Sequence, residues 1–333
     1  MVKIFFSLTK IILGLALLVL LVWLYRADFG QGRQIDLGIT FSQKYAEELN
    51  LDWREVYLAI LDELKVKKIR LVAYWDLLEE EPGKYNFSDL DWAINQAVLN
   101  QAEVILAIGQ RVPRWPECHW PDWSFTLSQS ERERFIKGMI TAIVNRYKET
   151  AAITAWQVEN EPFLKIFGQC PKPDLDFYRS ELELVRALDS RPVIVTESGE
   201  LSTWLRAAYL ADEVGVSVYR ITWNKALGYF YYPLPPAYYY LKAWLVRHLS
   251  PVENVFVSEM QMEPWLPMIV LNTPLGDQYH SMDLAKFRKN FLYANRTGLS
   301  PIYFWGAEWW YWLKEQGDDS IWRAAVQIFN SQD

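Results

Sequence analysis

Beyond its first three dozen residues the chain repeats one pattern eight times, a short apolar run followed by a stretch with apolar residues at helical spacing. The runs are residues 35–41, 68–74, 103–109, 153–158, 192–196, 214–219, 254–258 and 301–305. The helical stretches are 53–65, 90–100, 131–148, 175–188, 201–213, 237–248, 282–295 and 321–329. A run too short to stand alone, followed each time by an amphipathic helix, predicts parallel strands joined by crossovers. Eight such units predict a closed (β/α)8 barrel. An open doubly wound sheet is the alternative, but its glycine-rich first turn is missing.

The barrel, residues 35–333, follows a different kind of segment. Residues 4–25 are apolar except for Ser7, Thr9 and Lys10, long enough for a helix that spans a bilayer. The run ends in Trp23-Leu-Tyr25-Arg26 with no small-x-small cleavage site, so residues 1–26 are expected to be an uncleaved membrane anchor rather than a cleaved signal. Lys3 and Lys10 would stay inside, which places the catalytic domain outside the cytoplasm as part of a single-pass protein of the cell membrane. A buried N-terminal helix is the competing reading. Residues 27–34, with two glycines, read as a short linker.

Composition removes several function classes. With 34 basic against 41 acidic residues and no basic run, the chain lacks the clustered charge that phosphate backbones need, so no nucleic-acid partner is expected. His119, His248 and His280 form no H-x-H or HExxH motif and the two cysteines no CxxC, so no metal is expected. No GxGxxG or GxxxxGK[ST] string is present, and no cofactor is expected. The 17 Trp exceed what cores usually use, and indole faces suit the flat C–H faces of sugars. Trp115, Trp120 and Trp123 follow strand three, Trp223 strand six and Trp265 strand seven, while Trp305, Trp309, Trp310 and Trp312 end or follow strand eight. Packing between loops competes with sugar binding for each of them.

In a barrel of this kind chemistry sits where strands end. Strand four ends in Trp156-Gln-Val-Glu-Asn160-Glu161-Pro162 and strand seven in Val255-Phe-Val-Ser258-Glu259. A glycosidic bond is cleaved by two carboxyl groups across the sugar, one protonating the leaving oxygen and the other attacking the anomeric carbon or activating water. Strands four and seven face each other across the mouth, so Glu161 and Glu259 are the candidate pair, with Asn160 placed to bond the sugar 2-hydroxyl. Isolated glutamates at strand ends are common, and the pair is more specific than either residue. Glu197 ends strand five as a rival nucleophile, but beside strand four rather than across from it; it reads better as a substrate-binding or supporting residue. Glu263 and Glu308 are candidates for contact with substrate or solvent, and Glu159 reads as structural.

These motifs resemble the clan A glycoside hydrolases, the cellulase, mannanase and β-galactosidase type of barrel, over roughly residues 35–310. Asn160-Glu161-Pro162 matches the clan's acid/base after strand four and Glu259 its nucleophile after strand seven. The resemblance implies that Arg70 lies under the nucleophile and holds it ionised, that Tyr219 hydrogen-bonds it, and that Trp305 is the sugar platform. Ile69-Arg70, Trp75 and Glu81-Pro-Gly-Lys-Tyr85-Asn-Phe87-Ser-Asp-Leu90-Asp91 resemble the clan's second unit. Where many cellulase-branch members carry histidines near the ends of strands three and six, this chain has Gln110 and Ser217, which leaves the branch and the substrate open. Gln110, Trp115 and Glu308 join the candidate substrate-binding residues. The implied activity is that of a retaining glycosidase on a β-linked sugar. A transglycosidase and a catalytically inactive carbohydrate-binding barrel are the alternatives. Cys118 and Cys170, in neighbouring loops, form either a disulfide or two buried thiols.

Overall fold

The computed structural model describes residues 2–331, with side chains from residue 10 onward. Eight strands form one closed parallel barrel. In chain order they are β1 (Leu37–Thr40), β2 (Lys68–Val72), β3 (Glu103–Ile108), β4 (Ile153–Val158), β5 (Val193–Glu197), β6 (Glu213–Val218), β7 (Asn254–Gln261) and β8 (Ile302–Trp305). The barrel closes through β1 against β8, from Leu37↔Ile302 to Thr40↔Trp305. The (β/α)8 expectation holds.

Seven of the eight expected helices are present, at Trp53–Asp62, Ser88–Leu99, Gln129–Tyr147, Leu175–Leu188, Pro236–Leu249, Leu284–Arg296 and Ser320–Asn330. Their starts follow local chemistry. Ser128 and Glu131 form a reciprocal capping box, and the Asp174 carboxylate accepts from the amides of Asp176 and Phe177. The fifth is a correction. Residues 201–213 carry apolar residues at helical spacing, yet only Leu205–Ala208 is helical. Trp204 holds a left-handed φ of 66° just before that turn, and Asp212 caps the start of β5 through the Val193 amide. The apolar loop after β6 folds into a hairpin, Ile221–Asn224 with Gly228–Tyr231, and a further helix, Ala307–Glu315, follows β8.

Strand alternation divides the side chains into two sets. One set packs outward against the helices. Ile105, Ala155, Ile194, Phe256 and Tyr303, from five strands, fill the barrel interior. Two interior positions must be glycine. A Cβ on Gly38 would sit 2.7 Å from the Tyr303 ring, and one on Gly215 2.8 Å from Ser258 and 2.9 Å from Thr196. The β6–β7 register passes from Val216↔Val257 to Ser217↔Glu259, so Ser258 is an extra residue. This bulge shifts the pleat by one, and Glu259 points inward where simple alternation from Phe256 would turn it out.

The N-terminal helix runs Val2–Arg26, with Ile11 to Val22 exposed. Among the described residues no helix is long and apolar enough to cross a membrane. The expected transmembrane span is therefore not found among the described residues. The segment read as a linker docks on the barrel. Phe29 stacks on Tyr240 with ring centroids 3.9 Å apart, its amide bonds the Arg296 carbonyl, and Gly30 leaves no room for a Cβ against the Asn295 carbonyl.

Glu181, on the helix Leu175–Leu188, is fully buried, and neither carboxyl oxygen has a hydrogen-bond partner among the described residues. Burial, then the charge of Glu159, raises its pKa well above the usual carboxylate range. A raised folded-state pKa means the folded protein holds the proton more tightly. Stability from this group is full at low pH and falls as pH climbs above the ordinary carboxylate value. Glu181→Gln should therefore melt higher than the parent at pH 8, by roughly 1–3 kcal/mol in unfolding free energy, with the gap closing toward pH 5 in parallel thermal melts.

Candidate active site

The site is built around Arg70, which rises from β2 into the barrel and is wholly buried. Its Nε donates to Gln157 Oε1 at 2.6 Å, Nη1 to Glu259 Oε1 at 2.7 Å and Nη2 to Asn160 Oδ1 at 2.8 Å. One planar guanidinium thus fixes residues from β4 and β7. Tyr219, just past β6, donates to the other oxygen of Glu259 at 3.1 Å.

Glu161 reaches the same space by a different route. The chain leaves β4 through two left-handed residues, Glu159 (φ 60°) and Glu161 (φ 42°), a conformation that costs energy in non-glycine residues and clusters at active sites. The turn is held by the Asn160 amide on the Arg111 carbonyl, at 2.6 Å, and by the Glu161 amide on Thr196 Oγ1, at 2.9 Å. Ser217 Oγ donates to Glu161 Oε1 at 2.8 Å. Burial, then the charges of Glu259 and Glu117, raises the Glu161 pKa well above the usual carboxylate range. Glu161 has no cation among its partners and Glu259 has Arg70, so the two carboxyls are electrostatically unequal.

Around them lies a second charged group. Trp305 Nε1 and Arg114 Nη1 both donate to Glu263 Oε1, at 2.7 and 2.8 Å, and Arg114 lies over the Tyr45 and Trp305 rings. Glu263 Oε2 is buried without a partner among the described residues. Glu308 accepts from the Ser42 amide at 2.6 Å, and burial raises its pKa to about 7. Trp115 is 55% exposed at the rim and contacts Phe167, which packs on Trp265, whose edge meets Tyr219.

Two expected residues lie elsewhere. Thr196 turns into the barrel to bond Asn160 Oδ1, so its neighbour Glu197 faces out toward Arg206 and Lys242. Gln110 accepts from Trp120 and lines a cavity of about 370 Å³ between the helices Gln129–Tyr147 and Leu175–Leu188, together with Glu159 and Glu181. Residues that the sequence reading did not place include Arg114, Tyr45, Glu200, which accepts from Tyr239 and the Tyr219 amide, and Glu117. Only Glu117 had a signal nearby, the adjacent Cys118. Cys118 and Cys170 form a disulfide that joins the loops after β3 and β4. Among the described residues no group of three or more His, Cys, Asp or Glu side chains could hold a metal.

A family model described as beta-galactosidase, glycoside hydrolase 42, matches residues 48–214. The chain belongs to the glycoside hydrolase 42 family. The match holds Arg70, Asn160 and Glu161 and stops before Glu259. Two relatives are the beta-galactosidases LacZ of Lactobacillus acidophilus, 29% identical over 43% of this chain and 23% of that protein, and BgaA of Clostridium cellulovorans, 23% identical over 48% and 27%. The chain spans about a quarter of the length of these curated relatives. Two solved structures share the fold. A beta-galactosidase from Rahnella sp. R3 aligns at TM-score 0.59 and 14% identity over 92% of this chain and 57% of that one. A GH5_18 protein from Bifidobacterium longum, in complex with Manβ1-4GlcNAc, aligns at 0.58 and 12% over 81% and 68%. This family member is thus a clan A glycoside hydrolase by membership and by fold.

Removing one partner of a buried ion pair strands the other. Arg70→Leu should cost about 3–5 kcal/mol in denaturant unfolding, and the Arg70→Leu/Glu259→Leu double variant should cost clearly less than the sum of the two single changes.

Proposed function

We propose that this protein is a retaining glycosidase of β-linked sugars, with β-galactosides as the first substrates to try. The observation that carries this reading is the inequality of the two mouth carboxyls. Glu259 receives hydrogen bonds from Arg70 and Tyr219 on both oxygens, as an attacking carboxylate requires. Glu161 sits opposite, buried among other carboxylates and pushed toward its protonated form. In the first step Glu259 attacks the anomeric carbon as the bond to the leaving oxygen breaks, and Glu161 gives that oxygen its proton. In the second, Glu161 takes a proton from water, the resulting oxygen bonds the anomeric carbon, and Glu259 leaves as a carboxylate. Trp305, Glu263 and Glu308 would line the side of the sugar away from the scissile bond. The β-galactoside preference draws on the names of the family and its relatives.

We also propose that the N-terminal helix holds the protein at the cell membrane with the barrel outside the cytoplasm. Its exposed Ile11–Val22 face, the Trp23 and Tyr25 at its end, and the apolar sequence before Lys10 support this.

With aryl β-galactosides, Glu259→Ala should lower kcat by at least about 10⁴-fold, and added azide should return part of the rate as an inverted glycosyl azide. Inverted product from the unmodified protein would rule out double displacement. Glu161→Ala should slow substrates with poor leaving groups most and leave activated aryl glycosides least affected, read from kcat/KM across a leaving-group series. In vesicle flotation the full chain should rise with lipid and Leu17→Lys/Leu20→Lys should stay below, with equal flotation of both counting against the anchor.

A further inference from the structure

A third carboxyl stands beside the catalytic pair. Glu117 lies in the loop after β3 and is 3% exposed. Its Oε2 accepts from Asn160 Nδ2 at 3.1 Å, with Arg111 Nε 3.5 Å away. Its Oε1 accepts no hydrogen bond from the described residues and is not sealed from solvent.

The surrounding structure holds this side chain in place. Arg114 and Glu117 both adopt left-handed φ, 95° and 75°, and the Glu117 amide bonds the Arg114 carbonyl at 2.7 Å. The next residue, Cys118, is tied by its disulfide to the loop after β4. That loop packs back through Gly168, where a Cβ would come within 2.9 Å of Glu117 Cγ. Arg111 crosses between the same loops, donating to the Leu164 and Phe167 carbonyls at 2.9 and 3.0 Å. A glycine, a disulfide and an arginine therefore converge on one carboxyl, the preorganisation expected of a residue that must not move.

Asn160 Oδ1 already accepts from Arg70 and Thr196. Its Nδ2 gives one hydrogen to Glu117 and keeps a second. Side by side, then, stand an unused N–H donor and an unused carboxyl acceptor. A hydroxyl, which donates once and accepts, answers both; a bare C–H answers neither.

We propose that Glu117 is a positioning and specificity residue that fixes the Asn160 carboxamide and, with it, selects sugars carrying a free hydroxyl at C2. This rests on the glycosidase reading above, in which Asn160 faces the 2-position. The 2-hydroxyl donates to Glu117 Oε1 and accepts from Asn160 Nδ2, and both bonds tighten as positive charge develops on the ring. Burial raises the Glu117 pKa to about 7, with Arg111 and Arg70 opposing and Glu259 reinforcing the rise. Glu117 is ionised above that pH and then a stronger acceptor. Glu161, on the same turn as Asn160, is the remaining titratable group facing it.

The test compares kcat/KM for an aryl β-galactoside and its 2-deoxy analogue in the parent, Glu117→Gln and Glu117→Asp. Glutamine keeps an oxygen for Asn160 and removes the charge. The expected parent preference for the 2-hydroxyl is about 100-fold or more, growing as pH rises through 7. In Glu117→Gln it should fall about tenfold, mainly in kcat, and lose its pH dependence. Glu117→Asp keeps the charge but draws it back, and should lose preference while retaining the pH trend. An unchanged preference in both variants overturns the proposal and leaves the glycosidase reading standing. A parent inactive on every aryl β-glycoside overturns both.

Discussion

A guanidinium sealed inside a barrel is tolerated only if its donors are met, because an ionised group without partners in low dielectric is too costly to keep. Arg70 meets that demand with side chains that matter for chemistry. Gln157 and Asn160 come from β4, Glu259 from β7, and Thr40 and the Ser258 carbonyl fill in around Nη1. The geometry of the site is therefore a consequence of solvating one buried cation. Moving any of these groups leaves part of Arg70 bare, so the two strands that carry the candidate acid and nucleophile are locked to each other through it. The bulge at Ser258 and the absence of a side chain at Gly215 serve the same end, since the first turns Glu259 inward and the second leaves Ser258 and Thr196 room to sit beside it.

Charge distribution then makes the neighbouring carboxyls unequal. Glu117, Glu161 and Glu259 share a small volume with Arg70 and Arg111, and three negative charges there would face two positive ones. Arg70 bonds Glu259 and Arg111 lies against Glu117, which leaves Glu161 with a neutral donor, Ser217, and two acidic neighbours. The group left without a cation is pushed furthest toward its protonated form. Environment, not residue type, separates the carboxyls.

Much of this was legible in the chain because it follows from periodicity. The strand runs are apolar on both faces, as a sheet covered by helices requires, and their ends mark the mouth; Glu161, Glu259, Arg70 and Tyr219 fall there by that logic together with the clan resemblance. What failed to show depends on single-residue departures from regular backbone. Glu197 and Glu161 both follow a strand, but the pleat carries Thr196 inward and Glu197 out, whereas the left-handed turn at Glu159 re-aims Glu161. Gln110 takes the outward course too. The fifth helix kept its apolar spacing and lost its backbone at Trp204. Glu117 left no periodic pattern, since an irregular loop has no period, and it reaches the mouth through tertiary contacts with Asn160, Arg111, Gly168 and the Cys118–Cys170 disulfide beside it.

The same loops also decide what the site is made of above the carboxyls. Trp115, Phe167 and Trp265, from the loops after β3, β4 and β7, run edge to face toward Tyr219, whose hydroxyl bonds Glu259. This aromatic chain is anchored on a residue that hydrogen-bonds Glu259. Rings packed on Tyr219 lower the dielectric around its hydroxyl, and in lower dielectric both its bond to Glu259 and the Arg70 ion pair are stronger. The disulfide and Arg111 join the loop carrying Phe167 to the one carrying Trp115, so the roof and Glu117 are positioned together. Rim aromatics, the third carboxyl and the hydrogen bonds of Glu259 are thus joined by continuous contacts through loops that are irregular in sequence.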